Sequence, residues 1–348
     1  APLIDRVRSL GMEFGIWVEP EMVNPDSDLY RAHPEWALVD PAYEPVLGRH
    51  QLVLDLAIPA AYDEILTRLD ALLGDHDIAF VKWDMNRDHV QATGASGRPG
   101  THEQTLALYR LLDELRRRHP DVEIESCSSG GARIDLGILQ RTERVWTSDC
   151  NDALERQTIQ RHAALLIPPE VMGAHVGPPT AQTTGRTQSL AFRAATAMFG
   201  HFGIEWNLLT LDDDEVSDLA AWVELYKRHR DLLHGGDVVR VDHDDPHAFV
   251  HGVLAPDRRR ALIAYVQLTS AQALLPRPVR VPELDPEARY RVALVEQPGE
   301  RVGRWLTRDA PAVEAGVELT GRQLAAHGVR LPVLNPESVA LLWIEAVS

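Results

Sequence analysis

The residues best suited to chemistry fall in a few short stretches. Phe80–Arg87 reads FVKWDMNR, so a lysine, an aspartate, an asparagine and an arginine leave an apolar run within six residues. Such groups are costly to bury unless they are paired or face a polar cleft. The chain holds 33 arginines but two lysines, Lys82 and Lys227. A lysine kept at position 82 in so arginine-rich a chain points to a need for a compact ammonium rather than a planar guanidinium. The plain alternative is a Lys–Asp pair of structural value alone. Val145–Asp152 (VWTSDCND) places Asp149 and Asp152 three residues apart beyond an apolar run. Asp152 fits the N-cap of a helix over Ala153–Leu166, which leaves Asp149 to face a pocket. Glu125–Arg133 (ESCSSGGAR) is a small-residue loop whose glycines have neither P-loop nor dinucleotide spacing. Close approach of its backbone and of Cys127 to a ligand is the better reading, since no histidine lies near Cys127 in sequence to activate a thiolate.

These groups need strand ends to hold them. Apolar runs at Phe14–Val18, Leu52–Leu56, Phe80–Asp84, Glu123–Ser126, Arg144–Asp149, Val171–Val176 and Gly203–Asn207 alternate with helical patterns such as Ala60–Leu73 and Thr101–His119. That rhythm predicts β/α units around a parallel sheet. Seven strands, with a helix at Pro2–Leu10 ahead of the first, fit an α/β fold of the (β/α)8 TIM type that enters this chain after its first strand. Polar residues close nearly every run: Trp17, Glu19 and Glu21, then Asp55, Lys82 with Asp84, Cys127, Asp149, His175 and Trp206. The C-terminal ends of the strands are where such a barrel does its chemistry. A metal site built on His175 lacks the HxH pair expected at a strand end, and loss of activity under a chelator would reveal one. After about residue 236 the runs Ala248–Leu254, Ala261–Leu268, Tyr290–Glu296 and Ser338–Ala346 are parted by Pro, Gly and Asp turns. The organisation expected is thus a catalytic barrel over 1–235, incomplete at its N-terminus, then an antiparallel, sandwich-like all-β domain over 236–348.

With 52 acidic against 35 basic side chains the formal charge is −17, which repels phosphate backbones and anionic lipid. Nucleic acid and membrane partners are therefore not expected. Two cysteines, Cys127 and Cys150, imply no disulfide framework and fit a reducing cytoplasm. No run of about 18 apolar residues is present.

Five stretches taken together, GIWVEPEMVNPDSDLY at Gly15–Tyr30, KWDMNR at Lys82–Arg87, ESCSSGGAR, WTSDCND at Trp146–Asp152 and MGAHVGPP at Met172–Pro179, resemble the α-galactosidases of glycoside hydrolase family 36. The resemblance implies retaining hydrolysis of terminal α-D-galactosyl residues, as in melibiose and raffinose-type oligosaccharides, with Asp84 as nucleophile and Asp149 as acid/base. It further implies galactose contacts at Trp17, Arg49, Lys82, Asn86, Cys127 and Gly130, and no metal or organic cofactor. The loop here reads CSSGGAR where many relatives have CSGGGGR, a change among small residues that bears on contacts at the sugar 2-position. The family's leading supersandwich domain and its first strand with a paired-Asp motif are not among these 348 residues. Alternatives are a weakly active or non-catalytic sugar-binding fragment, an α-N-acetylgalactosaminidase or a transglycosidase, and apolar faces left by the missing domain invite coverage in a homo-oligomer. A retaining mechanism needs two carboxyl groups about 5 Å apart across the anomeric carbon. Lys82 is expected to keep Asp84 ionised, and an enclosed site to raise the pKa of Asp149.

Overall fold

A computed structural model of the chain describes residues 2–94, 97–299, 303–304 and 310–347. Residues 1–149 and 150–348 form two compact units. In the first, strands β1 (Gly15–Val18), β2 (Phe80–Trp83), β3 (Glu123–Ser126) and β4 (Arg144–Trp146) lie side by side in that order, all parallel. Helix α1 (Pro2–Ser9) precedes β1, α2 (Pro59–Asp75) lies between β1 and β2, and α3 (Thr101–Arg118) joins β2 to β3. The helices bury one face each: Ala61, Ile65, Leu66 and Leu69 on α2, and Ala107, Leu108, Leu111, Leu112 and Leu115 on α3. The three- and four-residue spacing makes one stripe. Leu69 and Leu115 share an apolar layer with Val18, Val81, Trp83 and Ile124 of the sheet. Each such side chain stabilises the fold by about 1.5–3 kcal/mol. Because strand side chains alternate, committing Val81, Trp83 and Ile124 to the helices sends Lys82 and Glu125 to the opposite face.

The run Leu52–Leu56 departs from the expected parallel strand. Leu52–Val53 pairs antiparallel with Met22–Val23, and Leu54 bridges Ala37. Leu52, Val53 and Leu54 are all buried, and for so short an apolar run periodicity does not distinguish a barrel strand from a buried antiparallel ribbon.

The second unit opens with α4 (Ala153–Ala163), β5 (Met172–Val176), α5 (Leu190–Ala197), β6 (His201–Ile204) and α6 (Asp213–Gly235), with β5 and β6 parallel. It continues as an antiparallel sheet of β7 (Asp237–Val241), β8 (Ala248–Leu254), β9 (Arg260–Gln267), β10 (Arg289–Leu294), β11 (Val317–Thr320) and β12 (Ser338–Ala346), ordered β11-β10-β12-β9-β8-β7. Both faces of its centre are covered. Leu262, Ala264 and Val266 of β9 join Val339 and Leu341 of β12 in a core with Phe192, Trp222 and Leu225 of the helices. The alternate residues Ala261, Ile263 and Tyr265 pack with Leu342, Ile344, Val279, Leu324 and Val329. That two-sided burial is why β9 reads as a continuous apolar run. The α/β element order followed by an antiparallel sheet agrees with the fold class expected from the sequence.

Asp152 is the N-cap of α4, as its spacing predicts. Fully buried, its carboxylate accepts from the Leu154 and Glu155 amides at 2.8 and 3.4 Å, from Thr184 and Arg186 at 2.5 Å each, and from Gln188 at 3.2 Å. Burial alone would raise its pKa, but these bonds together lower it. The stabilisation is therefore present above the ordinary carboxylate pKa and is lost as pH falls through the lowered one. Asp152→Ala removes the cap, strips Thr184 and Gln188 of an acceptor and leaves Arg186 with Glu155 alone, and is expected to cost about 2 kcal/mol in urea denaturation at pH 7; a loss below about 0.5 kcal/mol would contradict this role.

Candidate active site

Trp17, Lys82 and Glu125 occupy one level of three neighbouring parallel strands, through the register Trp17↔Lys82↔Glu125. Their side chains therefore share a face, as i and i+2 residues of each strand also do. Beyond this level the ladder runs one residue past each strand. The Asp84 amide donates to Val18 O at 2.9 Å and the Cys127 amide to Trp83 O at 2.7 Å. Both residues are thus fixed as strand extensions on the face of Lys82 and Glu125, at the C-terminal edge of the sheet.

Asp84 is only 6% exposed. Its Oδ2 accepts from Trp17 Nε1 at 3.1 Å and Asn86 Nδ2 at 2.6 Å, and its Oδ1 from the Met85 amide at 2.8 Å. The Cys127 thiol also donates to it. Burial taken alone raises the Asp84 pKa, yet the bonds from Asn86, Cys127, Trp17 and the Met85 amide together bring it below the ordinary carboxylate value. Cys127 responds in the opposite sense: burial and the adjacent Asp84 charge push its thiol up to about 12. A thiol so held is a hydrogen-bond donor, not a nucleophile.

Lys82 does not pair with Asp84 as the sequence suggested. Its ammonium lies 3.4 Å from Glu125 Oε1, the carboxylate level with it across the sheet, and 4.6 Å from the ring centroid of Trp146. The charge on Asp84 is sustained by neutral donors. Trp146 in turn donates from Nε1 to Asp149 Oδ1 at 3.1 Å. Asp149 is exposed, so the enclosed surroundings expected for it are not what this chain provides.

The other expected positions join the same cluster. Asn86 bridges Asp84 to Glu19, whose Oε1 accepts the Asn86 amide at 3.0 Å and Nδ2 at 2.9 Å. Arg49 reaches Glu19 Oε1 at 3.9 Å and is largely exposed. It shares with His50 a tight turn closed by Gly48 and Gln51, in which both central residues have positive φ, 51° and 62°. Such backbone favours glycine, and two non-glycine residues there are strained. Gly130 (φ 82°) is held where a Cβ would lie 2.8 Å from the Asp149 amide nitrogen.

Glu19 and Trp146 complete the site, while Glu21 and Arg133 brace the loop after β3 from the side of Trp83 and Ser126; none of the four was singled out as a site residue from sequence. Arg133 donates to Glu21 at 2.6 Å and to Cys127 O at 3.0 Å, and Trp83 Nε1 donates to the same buried Glu21 oxygen at 2.9 Å. The alternation Trp17, Glu19, Glu21 beyond β1 was the available signal, since it puts polar groups at every second position. His175 and Trp206 lie in the second unit, where His175 Nδ1 is 3.0 Å from Glu205 and Trp206 stacks with Arg193 at 4.6 Å.

Residues 1–236 match the family Melibiase, and residues 249–343 match the Glycosyl hydrolase family 36 C-terminal domain. The chain belongs to glycoside hydrolase family 36, the melibiase family. Over 348 residues it is 49% identical to an α-galactosidase of Escherichia coli, covering 99% of this chain and 49% of that protein. It is 35% identical to α-galactosidase AgaA of Geobacillus stearothermophilus over 98% of this chain and 45% of that protein. A crystal structure of family 36 AgaA variant in complex with raffinose is 33% identical and superimposes with a TM-score of 0.89, covering 99% of this chain and 46% of that one. A related AgaA structure holds 1-deoxygalactonojirimycin. The chain thus spans about half the length of these relatives. In this family 36 chain, Asn86→Ala removes the strongest of the bonds that favour ionised Asp84. The Asp84 carboxyl, followed by carbon-13 NMR, is expected to titrate at higher pH in the variant; an unmoved titration would remove Asn86 from that role.

Proposed function

We propose that the protein carrying this chain hydrolyses terminal α-D-galactosyl residues of α-galactosides, of melibiose and raffinose type, with retention of configuration. The observation that carries the reading is Asp84, buried at a strand end yet kept ionised by four donors. A carboxylate so prepared suits nucleophilic attack on an anomeric carbon, and a second carboxyl group must protonate the departing oxygen. Asp149, tied to Trp146 beyond β4 and exposed to protons from solvent, is the candidate acid/base.

The double displacement then runs as follows. Asp84 attacks the anomeric carbon while Asp149 gives its proton to the glycosidic oxygen, forming a covalent glycosyl ester and releasing the aglycone. Asp149, now a carboxylate, takes a proton from water as that water attacks the same carbon and frees Asp84. Trp17, Arg49, Lys82, Asn86, Cys127 and Gly130 would surround the galactosyl ring. No step calls for a metal or organic cofactor. We assign residues 1–235 to the catalytic part and 236–348 to an accessory β domain. Cys127 is a buried free thiol, which supports a cytoplasmic location. No helix among the described residues is long and apolar enough to cross a membrane.

The test is hydrolysis of an aryl α-galactoside by the parent, Asp84→Ala and Asp149→Ala, with and without azide. Asp84→Ala is expected to lose roughly 10³-fold or more in kcat and to recover partly with azide, yielding the β-galactosyl azide. Asp149→Ala should keep more activity on an aryl substrate, whose leaving group needs little protonation, than on raffinose. Full activity in Asp84→Ala would overturn the reading.

A further inference from the structure

We infer that Glu125 is a positioning residue that holds the Lys82 ammonium against the Trp146 ring and away from Asp84. The inference rests on the proposed sugar-binding role of Lys82.

Lys82 shares its face of the sheet with Asp84, Glu125 and Glu123, the last of which is paired with Arg144. Asp84 is two residues along β2, and Glu125 is level with it on β3. The ammonium goes to Glu125, at 3.4 Å. Glu125 is 4% exposed and its Oε1 accepts no hydrogen bond, so among the described residues its charge is offset by the ion pair with Lys82. The neighbouring cation on β4 is committed elsewhere: Arg144, in register with Glu125, pairs with Glu123 and lies over Phe80. A buried carboxylate with so little hydrogen bonding is unfavourable by itself. What it does for the site is fix a cation. On one side the Glu125 charge draws the ammonium, on another the Trp146 face receives it, and its remaining N–H groups are left for a ligand. With Glu125 neutralised and Glu123 paired with Arg144, the carboxylate left to draw the ammonium is Asp84, and an ammonium bonded to Asp84 would occupy an oxygen needed for attack.

The first readout is independent of activity. With lysine labelled by carbon-13 at Cε, the Lys82 signal is identified by its loss in Lys82→Met. Protons held over an indole face are shifted upfield, so the Lys82 methylene should lie upfield of that of Lys227. In Glu125→Gln this displacement is expected to collapse, and in Glu125→Asp, which keeps the charge one methylene short, to shrink in part. The Asp variant carries the comparison where the Gln variant does not fold. An unmoved Lys82 signal in either variant overturns the inference. The second readout is a double-mutant cycle on aryl α-galactoside hydrolysis. Glu125→Gln should raise KM about tenfold with a smaller change in kcat, and should add no more than about twofold to the loss caused by Lys82→Met. Additive losses overturn positioning through Lys82. A collapsed NMR shift in Glu125→Gln beside unimpaired hydrolysis by Lys82→Met upholds the positioning and overturns the sugar-binding role of Lys82 instead.

Discussion

Asp84 has only 6% of its surface exposed, and a carboxylate at the end of an apolar strand keeps its charge only where donors replace the water it has lost. Its donors come from three strand ends: Trp17 on β1, Asn86 and the Met85 amide beyond β2, and Cys127 beyond β3. Their convergence depends on register. Trp17 lies level with Lys82, and the amides of Asp84 and Cys127 extend the ladder by one residue. A slip of one residue between β1 and β2 would turn Trp17 toward the helices and Val18 toward the site. The apolar stripe of α2 and α3, by claiming Val18, Val81, Trp83 and Ile124, enforces the register that the carboxylate requires.

Neutral donors and true cations are kept apart in this arrangement. The groups bonded to Asp84 are an indole, an amide side chain, a backbone N–H and a thiol whose pKa is pushed to about 12. These sustain the negative charge without trading it for a close ion pair. A carboxylate locked to an ammonium would resist the loss of charge that accompanies ester formation. Pairing Lys82 with Glu125 places positive charge near the site while the attacking oxygens stay bonded to weaker partners. The buried Glu125 is unfavourable for stability taken alone, and its presence is intelligible as part of this division.

Much of this was legible in one dimension. The strand positions of β1 to β5 followed from apolar runs, while β6 (His201–Ile204) shares only Gly203–Ile204 with the run expected at Gly203–Asn207; Asp152 followed from N-cap spacing ahead of a helical pattern, and the candidate residues from polar groups closing strands. The register partners were not. Lys82 stands two positions from Asp84 in sequence, so sequence favours that pair. Its actual partner lies 43 positions away, in register across β3. Glu19 and Glu21 read as two more strand-end carboxylates until Asn86, Trp83 and Arg133 are seen to converge on them. Leu52–Leu56 misled for another reason: a run of three apolar residues closed by Asp55 and Leu56 is compatible with either a parallel barrel strand or a buried antiparallel ribbon, and its partner Met22–Val23 was hidden within a polar motif. The left-handed turn at Arg49 and His50 has no glycine or asparagine at its two central positions to announce it.

The same physics accounts for the imbalance between arginine and lysine around the site. Where a loop must be tied down, a guanidinium does it by reaching several acceptors at once. Arg87 donates to the carbonyls of Gln51 and Val46, and Arg133 to Glu21, Ser126 and Cys127 O. The first bond set fastens the segment bearing strained Arg49 and His50, and the second fastens the loop bearing Cys127 and left-handed Gly130. Strain of this kind persists only where surrounding contacts over-determine it. A fork of fixed N–H vectors supplies such contacts better than a flexible ammonium. Position 82 asks for the reverse, a small cation balanced between one carboxylate and one aromatic face with donors to spare. Arginine builds the frame and lysine supplies the charge inside it, because the frame needs directions fixed and the interior needs a donor still free to meet a ligand.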